Sequence, residues 1–258
     1  PIKVLIQKPN GTFDSETTKY GFDSTHGWWN TISKKDLDND GDTDFLVGNV
    51  GLNSRLRASK EEPVELTIRD IDSNGSYDPI ITYYNNHQRY PFISKDQLVK
   101  QVPLLKKKFL KYENFKSVRL EDILIASKVD DIHLKAEMFA SVWIENKNGS
   151  YQIHSLPAEA QMFPIFSFLV NDVNDDNQPD ILAAGNLYAV QQDLGRYVAG
   201  YGVLMLSDGK RNVLPMTMDQ SGFVVTGEAR DMKVTTNSKG EERILVSRNN
   251  DYVLVFKL

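Results

Sequence analysis

The densest chemistry in the chain is the run Asp36-Leu37-Asp38-Asn39-Asp40-Gly41-Asp42-Thr43-Asp44. Five aspartates stand at alternate positions of nine, around one glycine. Carboxylates this crowded repel one another unless a cation sits among them. An all-oxygen ligand set suits a hard ion, and Ca²⁺ takes six to eight oxygens at roughly 2.3–2.6 Å. Positions 1, 3 and 5 (Asp36, Asp38, Asp40) offer side-chain oxygens, position 7 (Asp42) a backbone carbonyl, and position 9 (Asp44) closes the shell. Gly41 falls where the chain must turn sharply with positive φ.

The pattern recurs twice. Asp70, Asp72, Asn74, Ser76 and Asp78 fill positions 1, 3, 5, 7 and 9 of a second loop, with Gly75 at position 6. Asp172, Asn174, Asp176, Gln178 and Asp180 fill a third, in which Asn177 replaces the glycine. Asparagine tolerates the left-handed region, so that exchange respects the turn. Three calcium sites are therefore expected, the first the tightest because it holds the most carboxylates, each structural and not catalytic. An EF-hand needs a bidentate glutamate at position 12 and flanking helices. Position 12 here is Val47, Ile81 or Ala183. The residues after each loop (Phe45–Asn49, Pro79–Tyr84, Ile181–Asn186) are short apolar or β-branched runs ended by turn residues, so the loops join strands.

The elements that must hold these loops read as short strands with frequent turn signals. A hairpin over Ile2–Gln7 and Thr12–Thr18 opens the chain with no partner before it, as if cut from something longer. Trp28 and Trp29 lead into the first loop as a pair alternating between core and half-buried positions. From Ser94 to about Leu110 the apolar residues Leu98, Val102, Leu105, Phe109 and Leu110 follow helical spacing, with Ser94 as cap ahead of Gln97 and Pro103 as an interruption. A second short helix is expected over Val118–Ile125, making about 90–128 a helical insertion. Lys106-Lys107-Lys108 and Lys111 form the one basic run, read as a solvated helix face. Further strands are expected at Lys135–Glu145, Tyr151–Leu156, Gly202–Leu206, Asn212–Met216, Val224–Val234, Arg243–Ser247 and Tyr252–Lys257. The loop Thr235–Glu242 has lost its aspartates and should hold no metal. The whole reads as one all-β region over 1–258, a β-propeller or partial propeller of about four antiparallel sheet units.

With 258 residues, 40% of them hydrophobic and 10% aromatic, the chain is long and apolar enough to bury a sizeable core. The net charge of −5 lies largely in the aspartate loops, and no basic face for nucleic acid stands out. No apolar run approaches the ~20 residues of a membrane span. The absence of cysteine excludes disulfides and thiol chemistry. A chain beginning at Pro1 reads as a processed product or a fragment. Weak calcium sites fill outside the cytosol, which favours an extracytoplasmic setting.

Gly27-Trp28-Trp29-Asn30, the first aspartate loop, Gly48-Asn49-Val50-Gly51-Leu52-Asn53, Asp78-Pro79-Ile80-Ile81-Thr82-Tyr83-Tyr84 and Ser247-Arg248-Asn249-Asn250-Asp251 together resemble the FG-GAP/VCBS repeat proteins. The likeness is closest to the bacterial, Bacteroidetes-type group labelled VCBS repeat or ASPIC/UnbV-related. It implies a secreted or cell-surface protein with calcium in the loops of propeller blades, and no established catalytic residue. Such propellers usually have more blades than these repeats supply, so the resemblance also implies the C-terminal part of a longer chain.

Two functions remain in view. A binding module would use exposed connections near 85–130 and 186–201. Their aromatic and amide residues Tyr84, His87, Tyr90, Tyr188, Gln191, Gln192 and Tyr197 suit a glycan or protein ligand. A carbohydrate-active enzyme, or an accessory domain of one, would need paired carboxylates in a cleft. The candidates Glu137, Glu145, Glu159, Asp193 and Glu228 are paired by nothing in the sequence. His26, His87, His133 and His154 show no zinc-ligand spacing. The reading is a non-catalytic, calcium-stabilised binding module.

Overall fold

The computed structural model describes residues 1–124, 131–190, 195–209 and 212–257. In chain order the first strands are β1 (Leu5–Gln7), β2 (Phe13–Ser15), β3 (Thr31–Lys35), β4 (Asp44–Gly48), β5 (Val64–Arg69), β6 (Asp78–Asn85), β7 (Gln88–Pro91) and β8 (Ile132–Ala136). They are followed by β9 (Val142–Lys147), β10 (Ser150–Ser155), β11 (Ile165–Asn171), β12 (Asp180–Gly185), β13 (Val203–Ser207) and β14 (Val213–Pro215). The last are β15 (Ala229–Thr236), β16 (Glu242–Arg248) and β17 (Leu254–Lys257). Among the described residues, three short α-helices, α1 (Lys95–Gln101), α2 (Leu120–Ile123) and α3 (Met218–Ser221), accompany them. All strand pairings are antiparallel. The fold is all-β, and the described residues form four sheets of three or four strands and one two-stranded ribbon.

The chain divides into two compact units. The first comprises Pro1–Thr17, Phe22–Gly27 and Leu56–Met138. It contains the ribbon β1-β2 and the sheet β7-β6-β5-β8. The stretch after Ser94 folds over this sheet. Ser94 caps α1 through a capping box, its Oγ accepting from the Gln97 N–H at 3.3 Å while Gln97 Oε1 accepts from the Ser94 N–H at 3.2 Å. Pro103 ends α1 and opens a 3₁₀ turn over Pro103–Lys106. Leu98, Val102, Leu105, Phe109, Leu120 and Ile123 are buried against Ile71 and Ile80. Leu110 is 71% exposed, because the helical phase resets at Pro103 and the expected stripe does not continue through it.

The second unit comprises Thr18–Gly21, Trp28–Arg55 and the residues from Phe139 onward. It holds the sheets β10-β9-β4-β3, β11-β12-β13-β14 and β15-β16-β17. The middle sheet is covered on both faces. Along β12, Ile181 and Ala183 pack in one core with Leu46, Trp143, Phe163, Phe168 and Met205, while Leu182 and Ala184 pack in another with Phe223, Met232, Ile244 and Val246. Successive side chains on a strand point to opposite faces, so a strand buried on both sides must be apolar at every position. This accounts for the unbroken run Ile181-Leu182-Ala183-Ala184. The first strands β3, β11 and β15 lie side by side and line a pocket of about 390 Å³.

Two local expectations need correction. Residues 135–145 are not one strand but parts of β8 and β9, which belong to different sheets. The apolar alternation through Met138, Ala140 and Val142 continues across the break because 139–141 are buried too, and no Gly or Pro marks it. The tryptophan pair is not core: Trp28 is 37% exposed, lying over Phe139 at 4.8 Å, and Trp29 is half-buried. It precedes β3 and so follows no strand alternation. Helix α3 lies outside the expected elements, although Thr217-x-x-Gln220 forms a capping box and Gly222, at φ 63°, closes the helix.

The β4 terminus passes very close to β11. The Ile165 N–H donates to the Asn49 carbonyl at 3.1 Å, and a Cβ on Gly48 would stand 2.6 Å from the Ile165 carbonyl oxygen. Gly48→Ala should therefore destabilise the protein by about 1–3 kcal/mol, the usual cost of overpacking. Gly149→Ala, in an open turn at φ 85°, should cost only about 1 kcal/mol. Urea denaturation of both variants measures the difference, and equal midpoints would contradict the close approach.

Candidate metal centre

Each aspartate loop joins the first two strands of a hairpin: β3 to β4, β5 to β6 and β11 to β12. Position 9 opens the return strand and pairs with the residue just before position 1, as Lys35↔Asp44, Arg69↔Asp78 and Asn171↔Asp180. The second loop lies in the first unit; the other two lie in the second.

The three turns share one hydrogen-bond scheme. The position-2 N–H (Leu37, Ile71, Val173) donates to position-9 Oδ2 at 3.1, 2.9 and 3.1 Å. The position-6 N–H (Gly41, Gly75, Asn177) donates to position-1 Oδ2 at 3.0, 2.9 and 2.7 Å. The position-7 N–H (Asp42, Ser76, Gln178) donates to position-5 Oδ1 at 2.8 Å in every loop. Positive φ occurs at position 6, as expected, with Asn177 at 62° beside Gly41 at 93° and Gly75 at 87°. It also occurs at position 4, where Asn39, Ser73 and Asp175 lie at 58°, 60° and 61°. That second left-handed residue was not anticipated. Its only sequence signal is a short polar residue in all three loops, of which Asn and Asp bear that conformation best.

Position 9 is the buried member of each set. Asp44 and Asp180 are fully buried and Asp78 nearly so. Asp44 also accepts from the Asn146 N–H at 2.8 Å and Asp180 from the Ser207 N–H at 2.9 Å, each on the neighbouring strand of the sheet. Burial pushes all three carboxyls above the usual carboxylate range, and the backbone donors only partly offset it. Asp42, expected to act through its backbone carbonyl, also uses its side chain, accepting from the Asn148 N–H at 2.6 Å.

With the turn held in this way, the remaining carboxylates converge. Asp36, Asp38 and Asp40 each bring an oxygen within 4.8 Å of the others, and so do Asp70, Asp72 and Asp78. Asp36 Oδ1, Asp38 Oδ1 and Asp72 Oδ1 are buried and accept no hydrogen bond from the described residues. Asp38 is pushed up by burial first, then by the charges of Asp40 and Asp44. Buried anionic oxygens without a donor are costly unless something positive fills the space. These oxygens fit a hard divalent ion. The third loop differs: its Asn174 side-chain amide donates to Asp176 Oδ2 at 2.9 Å, and Asp172 Oδ1 accepts from the Asn174 and Asp176 N–H groups. Among the described residues, three carboxylates meet only in the first two loops. The corresponding turn of β15–β16 closes on Asn237 and Glu241.

Three of the glutamates considered for catalysis each meet local cations of their own. Buried Glu137 meets His26 Nδ1 at 2.5 Å and Lys135 Nζ at 2.8 Å; buried Glu145 meets His154 Nε2 and Lys147 Nζ, both at 3.0 Å. Glu228 accepts from Arg230 at 2.7 Å, the Tyr188 N–H at 2.8 Å and Asn249 at 2.9 Å. Glu159 is exposed. The other histidines, His87 and His133, face Glu62 at 2.6 Å and Asp131 at 3.4 Å. Asp193, Gln191 and Gln192 lie outside the described residues.

Of the proposed ligand-binding residues, Tyr84, His87 and Tyr90 lie on the β6–β7 hairpin of the first unit, and Tyr188 and Tyr197 lie in the second. Tyr90 stands directly across from Tyr83, whereas Tyr84 pairs with Arg89 and so faces the other side of the sheet. Arg196 lies over the Tyr188 ring at 5.4 Å, and Tyr197 pairs with Leu187 and reaches Ser54 at 3.3 Å. No family model matches this chain, and no curated protein matches it.

Glu228 gives a pH test. Burial alone would raise its carboxyl, but the Tyr188, Asn249 and Arg230 donors outweigh that and hold it below the usual carboxylate range. A lowered folded value stabilises the protein above the unfolded pKa of about 4.3, and that stabilisation is lost as pH falls through the folded value. Glu228→Gln should therefore melt below wild type at pH 7 and show a shallower loss of Tm below about pH 4. Parallel Tm–pH curves for the two proteins would contradict this assignment.

Proposed function

We propose that this chain is a calcium-stabilised recognition module without catalysis of its own, built from FG-GAP/VCBS-type propeller repeats and working outside the cytoplasm. The observation that carries the metal reading is the set of buried carboxylate oxygens with no donor, Asp36 Oδ1, Asp38 Oδ1 and Asp72 Oδ1, at the convergence points of two turns with the same hydrogen-bond scheme. Asp36, Asp38 and Asp40 would hold one ion, and Asp70, Asp72 and Asp78 another. Bound calcium supplies positive charge to close the turn. The chain's own residues do the rest: the position-9 carboxylate holds the turn through the position-2 N–H, and in the first and third loops it also accepts from the next strand of the sheet. The third loop, with its amide hydrogen bond, binds more weakly.

Three sheets whose first strands lie side by side around one pocket support a propeller arrangement for the second unit. Glutamates each satisfied by a local cation support a structural role for those acids. Extracytoplasmic calcium sites work at roughly 10⁻⁴–10⁻³ M, the range that suits loops lacking a bidentate glutamate. No helix of the described residues is long and apolar enough to cross a membrane.

Asp38→Asn tests the reading with a change of sign. In calcium the variant loses a ligand and should melt below wild type; a site filled to 100 times its Kd contributes about 2.7 kcal/mol. In EDTA it loses only repulsion and should melt at or above wild type. Calorimetry on stripped wild-type protein should give two principal Ca²⁺ sites. A wild-type Tm indifferent to both calcium and EDTA would overturn the proposal.

A further inference from the structure

The first unit carries a second concave feature, at the end of β6 away from its aspartate turn. A cleft of about 330 Å³ is lined by Tyr83 and Asn85 of β6, Tyr90 of β7, and Phe115 and Lys116. Tyr83 and Tyr90 are directly opposed across the two strands and therefore share a face. Tyr83 is braced edge-on by Phe92 at 5.5 Å, and Phe115 by Phe109 at 5.5 Å, so two walls are fixed aromatic rings. The Asn85 amide, the Lys116 ammonium and the Tyr83 hydroxyl have no hydrogen-bond or ion-pair partner among the described residues. Residues 100–119 carry six lysines and one arginine against one glutamate, in a chain whose net charge is −5.

We propose that this cleft binds an anionic sugar, one acidic pyranose ring stacked on the tyrosine wall with its carboxylate at Lys116. The proposal deepens the recognition reading above and rests on it. Aromatic faces flanked by a few convergent polar groups suit a ring that is apolar on its face and polar at its edge. Unpartnered amide and hydroxyl groups supply donors and acceptors for sugar hydroxyls. A neutral sugar would leave Lys116, at the cleft's edge, without a counter-charge. A single strand of nucleic acid needs a positive groove that follows several phosphates, whereas this cleft has room for one or two rings and carries its charge on one side.

The test uses the full chain loaded with calcium and titrated calorimetrically with hyaluronan tetrasaccharide, its carboxyl-reduced neutral counterpart, and a single-stranded oligonucleotide. Hyaluronan tetrasaccharide should bind, and the neutral sugar should bind at least fivefold more weakly, a modest figure because exposed ion pairs contribute little. Tyr90→Ala should weaken binding about tenfold, the equivalent of 1.4 kcal/mol. Lys116→Gln, an exposed change that leaves the fold alone, should remove the preference for the acidic sugar. Equal binding of acidic and neutral sugars, tighter binding of the oligonucleotide, no sugar binding at millimolar concentration, or unchanged affinity in Lys116→Gln would each overturn the proposal. Calcium titration of the same preparation separates the two readings. Folded, calcium-responsive protein that ignores the sugar defeats this proposal alone, and sugar binding without a calcium response defeats the metal reading alone.

Discussion

The structure turns on a carboxylate where a carboxylate is expensive. Asp44, Asp78 and Asp180 are buried at the start of a return strand, where an uncompensated charge would cost several kcal/mol. Each accepts from the backbone N–H seven residues earlier, and Asp44 and Asp180 accept also from the next strand of the sheet. One side chain thereby fixes the width of a nine-residue turn and ties that turn into a ladder. The fixed turn is also what forces the outer aspartates together. Asp36, Asp38 and Asp40 crowd because the backbone gives them no room to separate, not because they attract. Conflict between local electrostatics and the overall fold is a mark of a functional site.

The same economy links the turn of the first unit to its cleft. The second aspartate loop ends at Asp78, the first residue of β6, and Tyr83 and Asn85 lie at the far end of that strand. Order imposed at one end of a rigid strand is inherited at the other. Along β6 the inward residues Ile80 and Thr82 are fully buried, while Tyr83 and Asn85 reach toward the cleft. The helical segment completes the cleft by bringing Phe115 and Lys116 over the hairpin, held there by the core of Leu98, Val102, Leu105 and Phe109.

Much of this was legible in the sequence where one rule acted alone. Alternating aspartates gave the turns, and the left-handed position 6 followed from Gly41, Gly75 and Asn177. Ser94 and Pro103 marked the start and interruption of the helical segment. What escaped were choices made by neighbours distant in sequence. The alternation through Met138 to Val142 could not reveal that β8 and β9 serve different sheets, because burial continues across the break. The partner of Tyr90 was legible in principle from strand register, but Tyr83 and Tyr84 are adjacent and only the hairpin turn at Asn86-His87 decides which one faces it. The third loop matches the others in spacing and in turn geometry. Its difference lies in an amide that can donate as well as accept, a property that position in a motif does not convey.

Gly48 and the backbone around it bear on how the second unit responds to change. Where β4 ends against β11, a peptide carbonyl and a bare Cα meet with no side chain between them, and Leu52 and Asn53 extend the contact by donating to the Gln161 carbonyl. Spacing between elements is ordinarily a compromise among side chains, and it drifts as those side chains are exchanged. Here main chain abuts main chain, and the separation has no adjustable part. Substitution can loosen or tighten the cores on either side, yet this junction keeps its gauge, a fixed datum from which the neighbouring sheets take their alignment.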